Sequence, residues 1–246
     1  MSATMQPNFV SIEGNIGSGK STLLANLKEV LRGNPSVVFL KEPVDEWETI
    51  KDANGCTMLQ KFYGDQERYS FPFQMMAYIS RLATFKQAVK ENPEAKIFIT
   101  ERSLDTDKHV FAQMLFDDKK IEDVNYQIYR KWFDTFAQEF PIAGLIYVNT
   151  LPEICHQRIM KRSREGEDCI PLEYLQNCGN YHDYMMSVMS DSPILRLDGN
   201  VDIYQNATIV NDWVDKIKEF IYCIEDAKDK QNPTTVYQFA EYNRPF

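Results

Sequence analysis

Short apolar runs alternate along the chain with longer segments in which apolar residues recur at helical spacing. The runs typical of strands cover residues 9–13, 37–40, 96–100, 144–149 and 194–197. Helical periodicity covers residues 21–31, 71–90, 124–140 and 210–222. Strands that are apolar along their whole length and alternate with helices indicate a parallel sheet covered on both faces. The pattern therefore predicts an α/β fold of three layers with a five-stranded parallel sheet.

No repeat, low-complexity tract or linker divides this pattern. We therefore expect one domain over residues 1–228, followed by a C-terminal tail over residues 229–246. The tail is polar but contains the aromatic residues Tyr237, Phe239, Tyr242 and Phe246. Chain termini usually fray, and docking of these aromatic residues on the domain is the less common alternative.

Composition narrows the class of protein without identifying its chemistry. The 246 residues are 43% hydrophobic and 26% charged, as in ordinary globular proteins. A net charge of -9 disfavours nucleic acid as a partner, because duplex binding needs an excess of positive surface. No apolar run approaches the ~20 residues of a membrane helix, so we expect no membrane association.

Cysteine and histidine usage points to a reducing compartment and to no metal centre built from these residues. The chain begins without the pattern of a signal or transit peptide, and its five cysteines form no C-x-x-C pair. We therefore expect a cytoplasmic protein. His109, His156 and His182 fall in no metal-ligand spacing, and single histidines are usually structural.

A glycine-rich motif follows the first predicted strand and opens the first predicted helix. Residues 14–21, GNIGSGKS, match the phosphate-binding pattern G-x-x-x-x-G-K-[ST] in full. Glycines let backbone N–H groups turn inward around phosphate oxygens, and the helix N-terminus favours negative charge. We expect Lys20 to reach the β- and γ-phosphates of a nucleoside triphosphate, and Ser21 to hold Mg²⁺. The predicted nucleotide-binding residues of this loop are Gly14, Asn15, Ile16, Gly17, Ser18, Gly19, Lys20, Ser21 and Thr22.

The motif leaves the phosphate acceptor open, because GTPase switches, ATPases and small-molecule kinases share it. No N-K-x-D motif for guanine recognition is present, which disfavours a GTPase. A nucleoside monophosphate kinase is the nearer alternative. Such an enzyme would need further basic groups for the acceptor phosphate, and Glu42 would repel that phosphate.

Three further segments resemble landmarks of the deoxynucleoside kinase family: KEPVDEW at residues 41–47, ERS at 101–103 and an arginine-rich segment at 158–167. IPLEYL at residues 170–175 follows, and the resemblance extends over about residues 9–220. It implies a P-loop kinase that uses Mg²⁺ and transfers the γ-phosphoryl group of ATP to the 5′-hydroxyl of a deoxynucleoside, in nucleotide salvage. It also implies a homodimer and feedback inhibition by the end-product triphosphate.

Four residues carry the expected catalysis, namely Lys20 of the loop and three residues at strand ends. Glu42 closes the second strand, where a carboxylate can take the proton of an attacking hydroxyl, and the resemblance places the family's general base there. Glu101 and Arg102 follow the third strand, and strand ends of an open parallel sheet face the ligand crevice. Glu101 is suited to hold Mg²⁺ through water, and Arg102 is suited to neutralise charge on the transferred group.

The arginine-rich segment predicts a lid over about residues 158–169, as the family has. Arg158 and Arg162 are four residues apart, so a helix places both on one face. We expect Arg162 and Arg164 to close over the triphosphate and exclude water, and Arg158 to form a structural salt bridge. Glu167 matches the lid glutamate that reaches the sugar 3′-hydroxyl in the family.

The predicted nucleoside pocket combines one amide with aromatic walls. Gln74 offers a donor and an acceptor side by side, which suits the Watson–Crick edge of a base. Tyr63, Phe73 and Phe111 are candidate walls, and the family counterpart of Tyr63 also bonds the 3′-hydroxyl. The predicted substrate-binding residues are Glu42, Val44, Tyr63, Phe73, Gln74, Ala77, Arg81, Arg102, Asp107, Phe111 and Glu167.

Base preference depends on Ala77, Arg81 and Asp107, which match deoxycytidine and deoxyguanosine kinases rather than thymidine-accepting relatives. Ala77 and Arg81 lie on the helix face of Gln74. An ionised Asp107 only accepts hydrogen bonds, so it suits the amine of cytosine or adenine and opposes thymine O4. Arg81 would crowd the thymine methyl group but can donate to guanine O6. We expect deoxycytidine or purine deoxynucleosides to be preferred, with broad or thymidine-accepting specificity as the alternative.

Overall fold

The computed structural model describes residues 7–162, 167, 170–202 and 207–230. Among these residues, five strands form one sheet in which every neighbouring pair is parallel. They are β1 (Asn8–Glu13), β2 (Val37–Leu40), β3 (Ile97–Glu101), β4 (Ile142–Asn149) and β5 (Ile194–Asp198). The predicted five-stranded parallel sheet is confirmed, and each strand lies within about two residues of its predicted bounds.

Helices and short helical turns connect the strands. They are α1 (Lys20–Val30), α2 (Val44–Trp47), α3 (Met58–Gly64), α4 (Gln66–Glu91), α5 (Leu104–Thr106), a π-helical turn (Asp107–Ala112), α6 (Gln113–Asp117), α7 (Asp123–Phe136), a 3₁₀ turn (Ala137–Glu139), α8 (Pro152–Arg162), α9 (Leu172–Val188) and α10 (Ala207–Lys230). The helices predicted from periodicity correspond to α1, α4, α7 with its 3₁₀ turn, and α10.

α4 and α9 differ from the prediction for local reasons, and α10 extends beyond its predicted bounds of 210–222 at both ends. α4 begins at Gln66 rather than at residue 71, because the Asp65 side chain accepts a hydrogen bond from the Arg68 N–H at 3.1 Å and caps the helix. The predicted pattern did not include α9, whose buried face mixes polar and apolar side chains, among them Cys178 and His182. Such a face gives a weak periodic signal.

The sheet separates two apolar layers, because successive residues of a strand point to opposite faces. On one face, Phe9 of β1 packs against Phe85 of α4 and Phe98 of β3, with ring centroids 4.7 and 5.1 Å apart. On the other face, the neighbouring residue Val10 belongs to a cluster that contains Leu27 of α1 and Ile217 of α10. The three-layer arrangement is therefore confirmed.

Strand order brings the chemically active segments to one edge of the sheet. The order is β2-β3-β1-β4-β5, so β3 lies beside β1. The carboxyl ends of parallel strands meet at the same edge, which places the residues after β1, β2 and β3 next to one another. In the described part of the chain, no helix is both long and apolar enough to cross a membrane.

Candidate active site

The glycine-rich motif forms the loop between β1 and α1. Gly17 has φ of 78°, and a Cβ there would lie 2.6 Å from the carbonyl oxygen of Cys155. Only glycine fits a left-handed backbone this close to another chain segment. The Asn15 side chain donates to the carbonyl of Leu175 at 2.7 Å and ties the loop to α9. The loop is therefore held in a single shape by its neighbours.

Lys20 lies inside this loop rather than in solvent. Its Nζ donates to the carbonyl of Asn15 at 2.7 Å, and the residue is only 5% exposed. Burial, assisted by the positive charge of Arg102, lowers the pKa of Lys20 from 10.5 to about 8. The loop thus contains a partly desolvated ammonium group, which an anion would neutralise.

Ser21 and Glu101 meet at the start of α1. The Ser21 hydroxyl donates to Glu101 Oε1 at 2.6 Å, and Glu101 is buried at the end of β3. Both groups are hard oxygen donors, which Mg²⁺ prefers, and Mg²⁺ often takes only one or two protein ligands beside substrate phosphates. The donor set therefore fits the expected ion. Within the described residues, no group of three or more His, Cys, Asp or Glu side chains forms a separate metal cluster.

The Glu42 carboxylate lies between two guanidinium groups. Its Oε1 is 3.0 Å from Arg81 Nη2 and 3.2 Å from Arg102 Nε, and its side chain is 19% exposed. Burial by itself would raise the pKa of Glu42, but Arg102 and Arg81 outweigh it and hold the pKa below its ordinary value. The carboxylate is therefore ionised at neutral pH and has an edge open to the cavity.

Arg102 is held from several sides at the end of β3. Its backbone is left-handed, with φ of 64°, and its N–H donates to the carbonyl of Ile12 at 3.0 Å. Its Nη1 donates to the carbonyl of Gly14 at 3.0 Å and lies 3.3 Å from Nε2 of His182. The guanidinium carbon is 4.8 Å from the ring centroid of Phe111. A non-glycine residue in this backbone region is typical of functional sites, where the surroundings offset the strain.

Arg81 of α4 joins Asp107 of the π-helical turn to the Glu42 region. Arg81 Nε is 2.9 Å from Asp107 Oδ2, and both side chains are 2% exposed. Burial raises the pKa of Asp107 against the opposing effect of Arg81. Burial disfavours a charged Arg81, but the carboxylates of Asp107 and Glu42 outweigh it and raise its pKa. Arg81 Nη1 also donates to the carbonyl of Glu101 at 2.8 Å.

Gln74 and Ala77 lie on the same buried face of α4 as Arg81, as the helical spacing predicts. Gln74 is 1% exposed, and within the described residues its Oε1 has no hydrogen-bond partner. A buried acceptor without a partner costs free energy, and a ligand that donates to it would remove that cost. Phe73 stacks on Phe62, with centroids 4.5 Å apart, and supplies an aromatic wall.

A single cavity of about 940 Å³ joins most of the predicted residues. On the nucleotide side it is lined by Ile16, Gly17, Ser18, Gly19, Lys20, Ser21, Thr22, Glu101 and Arg162. On the acceptor side it is lined by Glu42, Val44, Tyr63, Phe73, Gln74, Ala77, Arg102, Asp107, Phe111 and Glu167. Gly14, Asn15 and Arg81 do not line the cavity but bond to residues that do, or to their neighbours.

The predicted lid is described only in part, so it stays a prediction. Arg162 forms an ion pair with Glu167. Arg164 lies outside the described residues. Within the described residues, the Arg158 guanidinium bonds two backbone carbonyls, at 3.3 Å to Ser18 and 3.0 Å to Val201, and the salt bridge expected for it stays a prediction.

Some buried residues at the site were not among those predicted. Trp47, Leu59 and Phe62 line the cavity, whereas Glu13 and His182 do not line it. Glu13, at the end of β1, accepts hydrogen bonds from Ser103 at 2.8 Å and Thr106 at 2.6 Å. His182 of α9 lies against Arg102, although the sequence indicated only an ordinary structural histidine. No local pattern could have identified this contact, because it joins residues that are 80 positions apart.

Most of the residues predicted to bind nucleotide and those predicted to bind substrate thus share one cavity at the carboxyl edge of a parallel sheet. The phosphate loop lies on one side, and an ionised carboxylate held by two arginines faces the other. A fold and a site of this kind define a P-loop kinase, in which donor and acceptor meet in one crevice.

The particular family follows from comparison with known proteins. The model of the deoxynucleoside kinase family matches residues 10–222, and the chain belongs to this family. Human deoxycytidine kinase is 34% identical over 241 residues, which cover 86% of this chain and 90% of the relative. Deoxycytidine kinase 1 of Xenopus laevis is 31% identical, with 86% and 89% covered. The mitochondrial deoxyguanosine kinase of the same organism is 27% identical, with 88% and 91% covered. The chain is therefore a deoxynucleoside kinase, which confirms the expected enzyme class.

Proposed function

We propose that this kinase transfers the γ-phosphoryl group of ATP to the 5′-hydroxyl of a deoxynucleoside and prefers deoxycytidine or purine deoxynucleosides to thymidine. The observation that carries the proposal is the position of Arg81. Arg81 bonds Asp107 at 2.9 Å and Glu42 at 3.0 Å. It therefore connects Asp107, which we propose to contact the base, with Glu42, which we propose as the general base.

The donor half of the proposal rests on the phosphate loop. Backbone N–H groups of the loop and the Lys20 ammonium would bind the triphosphate. The bound phosphates would stabilise the protonated form of Lys20, which burial disfavours. Ser21 and Glu101 would hold Mg²⁺, which neutralises charge on the phosphates when bound. Arg162 and Arg164 of the proposed lid would exclude water from the triphosphate.

The acceptor half rests on Glu42 and Arg102. An ionised carboxylate with an open edge can accept the proton of the 5′-hydroxyl as that oxygen attacks phosphorus. Arg102, whose guanidinium bonds the Gly14 carbonyl and lies against Phe111, would stabilise negative charge on the transferred group without reorganising. Tyr63 and Glu167 would bond the sugar 3′-hydroxyl.

The base preference rests on Gln74 and Asp107. The unpartnered Oε1 of Gln74 can accept from a base amine or imino group, while its amide nitrogen donates. In its ion pair with Arg81, the Asp107 carboxylate can only accept hydrogen bonds, so it would pair with the amine of cytosine or adenine. Opposite thymine O4, two acceptors would meet and no hydrogen bond could form. One unsatisfied buried group costs about 1–3 kcal/mol, which is about 5- to 150-fold in kcat/KM.

The proposal includes a domain over residues 1–228, a homodimer and a cytoplasmic location. α7 exposes an apolar stripe of Val124, Ile128 and Trp132, which are 63%, 42% and 50% exposed. An apolar stripe on one helix face is typical of a subunit contact, and it supports the homodimer. The cytoplasmic location proposed for this protein stays a prediction, since one of the relatives is a mitochondrial enzyme.

The proposal is tested by steady-state phosphorylation of deoxycytidine, deoxyadenosine, deoxyguanosine, thymidine and deoxycytidine monophosphate with ATP and Mg²⁺. Glu42→Gln removes the base but keeps the shape, and we expect kcat to fall about 10²- to 10⁴-fold. Glu46→Gln, at an exposed carboxylate four residues further along, is the matched control and should leave kcat unchanged. Dominant turnover of thymidine would overturn the base preference. Turnover of the monophosphate alone would overturn the acceptor assignment and favour a monophosphate kinase.

A further inference from the structure

His182 is a fully buried histidine that lies directly behind Arg102. It is 0% exposed, and its Nε2 is 3.3 Å from Arg102 Nη1. Its Nδ1 is 2.7 Å from the carbonyl oxygen of Cys178, one turn earlier in α9. Both ring nitrogens therefore have a partner.

These partners determine which nitrogen carries the proton. A carbonyl oxygen only accepts hydrogen bonds, so Nδ1 must be the N–H donor to Cys178. The carbonyl oxygen of Gly14 also faces the ring, but a neutral ring carries one proton, and Cys178 requires it on Nδ1. Nε2 is then unprotonated and accepts from the Arg102 guanidinium, which only donates. Burial and the charge of Arg102 lower the pKa of His182 well below its ordinary value, which agrees with a neutral ring. At neutral pH the ring is therefore a hydrogen-bond acceptor at Nε2.

The ring has little room to turn away from this position. It is stacked on Tyr147, with centroids 6.4 Å apart, and meets the edge of Phe111 at 6.3 Å. Phe111 in turn lies against the Arg102 guanidinium. His182 and Phe111 therefore hold the guanidinium from two directions.

The guanidinium nitrogens of Arg102 contact different partners. Nη1 faces Gly14 and His182, whereas Nε faces Glu42. An acceptor beside Nη1 fixes the rotation of the planar guanidinium, and that rotation decides where the remaining donors point. Without the acceptor, Nη1 would keep only the bond to the Gly14 carbonyl.

We propose that His182 is a positioning residue, which accepts a hydrogen bond from Arg102 and orients its guanidinium for phosphoryl transfer. The inference rests on the role proposed above for Arg102. It adds a residue of α9, outside the cavity lining, to the groups on which the chemical step depends.

The test compares two amide substitutions that replace different halves of the ring. His182→Gln places its amide near the Nε2 position and keeps an acceptor for Arg102. His182→Asn reaches only as far as Nδ1 and loses that acceptor. We expect His182→Asn to lower kcat about 10- to 100-fold, as losses of outer-shell partners do at metal sites. The KM values for nucleoside and ATP should stay within about twofold, because orientation of Arg102 acts mainly in the transition state.

His182→Gln should keep kcat within about threefold of the wild type, as expected where a conservative variant retains the hydrogen bond. His156→Asn, on α8, is the matched control and should leave kcat unchanged. Melting temperatures of all variants are measured alongside. Equal losses of kcat and melting temperature in the Gln and Asn variants would mean a purely structural role and would overturn the inference. So would an unchanged kcat in His182→Asn.

Arg102→Lys separates this inference from the function proposed for Arg102. We expect Arg102→Lys to lower kcat, and the further addition of His182→Asn to change it little, because both act through one interaction. Full activity of Arg102→Lys would overturn the role of Arg102 itself. A large loss in Arg102→Lys, with additive loss from His182→Asn, would overturn only the positioning role.

A measurement on the unsubstituted ring remains available if His182→Asn does not fold. The ¹⁵N spectrum of His182 in the full chain should show a neutral ring with the proton on Nδ1, and the Nε2 signal should move in Arg102→Lys. A proton on Nε2, or an Nε2 signal unaffected by Arg102→Lys, would overturn the inference.

Discussion

At the scale of single residues, the site is organised by ionic groups that change each other's protonation. Glu42 remains ionised because Arg102 and Arg81 outweigh the effect of its burial. Lys20 is close to losing its proton because burial and Arg102 act in the same direction. The site therefore contains charges that are costly to bury, and an anion bound at Lys20 would reduce that cost.

Lys20→Met should stabilise the ligand-free enzyme while abolishing phosphoryl transfer. The folded pKa of Lys20, about 8, is below its ordinary value of 10.5, so burying the charge destabilises the folded state at neutral pH. This cost falls as the pH rises through about 8, because the folded state then releases the proton first. The melting temperature of the variant should exceed that of the wild type at neutral pH, by a margin that shrinks in alkaline solution.

The matched control for this comparison is Lys28→Met, which removes an exposed lysine from the same helix. It should leave the difference between neutral and alkaline melting temperatures unchanged. A Lys20→Met enzyme that melts below the wild type at neutral pH would contradict the assigned cost of burial.

Arg81→Gln combined with Asp107→Asn should shift preference toward thymidine. The double substitution replaces a buried ion pair by neutral amides, and the new amide at position 107 can donate to thymine O4. We expect the ratio of kcat/KM for thymidine to kcat/KM for deoxycytidine to rise about tenfold or more. A change of this size lies within the ~1–3 kcal/mol that one unsatisfied buried polar group costs. An unchanged ratio would contradict the base assignment.

The same double variant has a second readout in its pH profile. Arg81 lowers the pKa of Glu42, so its removal should raise that pKa. The acid limb of kcat/KM should then move to higher pH. Arg81→Gln alone is the control for stability, because it leaves the buried Asp107 carboxylate without its ion-pair partner and should unfold more readily than the double variant.

At the scale of elements, strand order and one unusual helical turn assemble the cavity. β3 pairs with both β1 and β2, so Arg102 at the end of β3 reaches Gly14 and also faces Glu42. The π-helical turn places Asp107 and Phe111, four residues apart, on the same cavity. A wider helical turn brings such residues closer to alignment than an α-helix does, and these turns are frequent at functional sites.

α10 packs closely on the sheet at Gly144 of β4, so a larger side chain at this position should destabilise the fold. A Cβ there would lie 2.6 Å from Ile224 Cδ1 and 2.9 Å from Phe220 Cζ. Gly144→Val should therefore lower the free energy of unfolding by about 1–3 kcal/mol, as overpacking of a core does. Chemical denaturation measures this change. Gly64→Ala is the control, because the added methyl group meets no atom within 4 Å, and it should not destabilise the protein. Equal stability of the two variants would contradict the close approach of α10.

At the scale of the whole molecule, one cavity of about 940 Å³ is large enough for two ligands end to end. Its two ends come from different parts of the chain. The phosphate loop follows β1, whereas the predicted base-reading residues come from α4 and the π-helical turn. Donor and acceptor can therefore meet only when the whole sheet is assembled.

The proposed homodimer is tested on the exposed stripe of α7. Trp132→Glu together with Ile128→Glu places charge in the proposed contact, so the mass in solution should fall from about twice 28.7 kDa to 28.7 kDa. Light scattering after gel filtration measures it. Tyr222→Glu, at a 65% exposed aromatic residue of α10, is the matched control and should leave the mass unchanged. A wild-type mass of 28.7 kDa would contradict the dimer.

The strands, the phosphate loop and the fold class could be predicted from the order of residues along the chain. These features depend on neighbours along the chain, through apolar runs, glycine conformations and the turn from strand to helix. The resemblance of short motifs added the candidates Glu42, Glu101 and Arg102. Most of the predicted residues line the one cavity, so the site could largely be located before the structure was known.

The contacts between these residues could be read only from the folded chain. Arg81 between Asp107 and Glu42, and His182 behind Arg102, are contacts between residues 26, 39 and 80 positions apart. Such contacts depend on strand order and helix packing, which no local pattern contains. Burial alters the charge state of each group only once the surrounding elements have excluded water. The protonation of Glu42, Lys20 and His182 is for this reason a property of the folded protein.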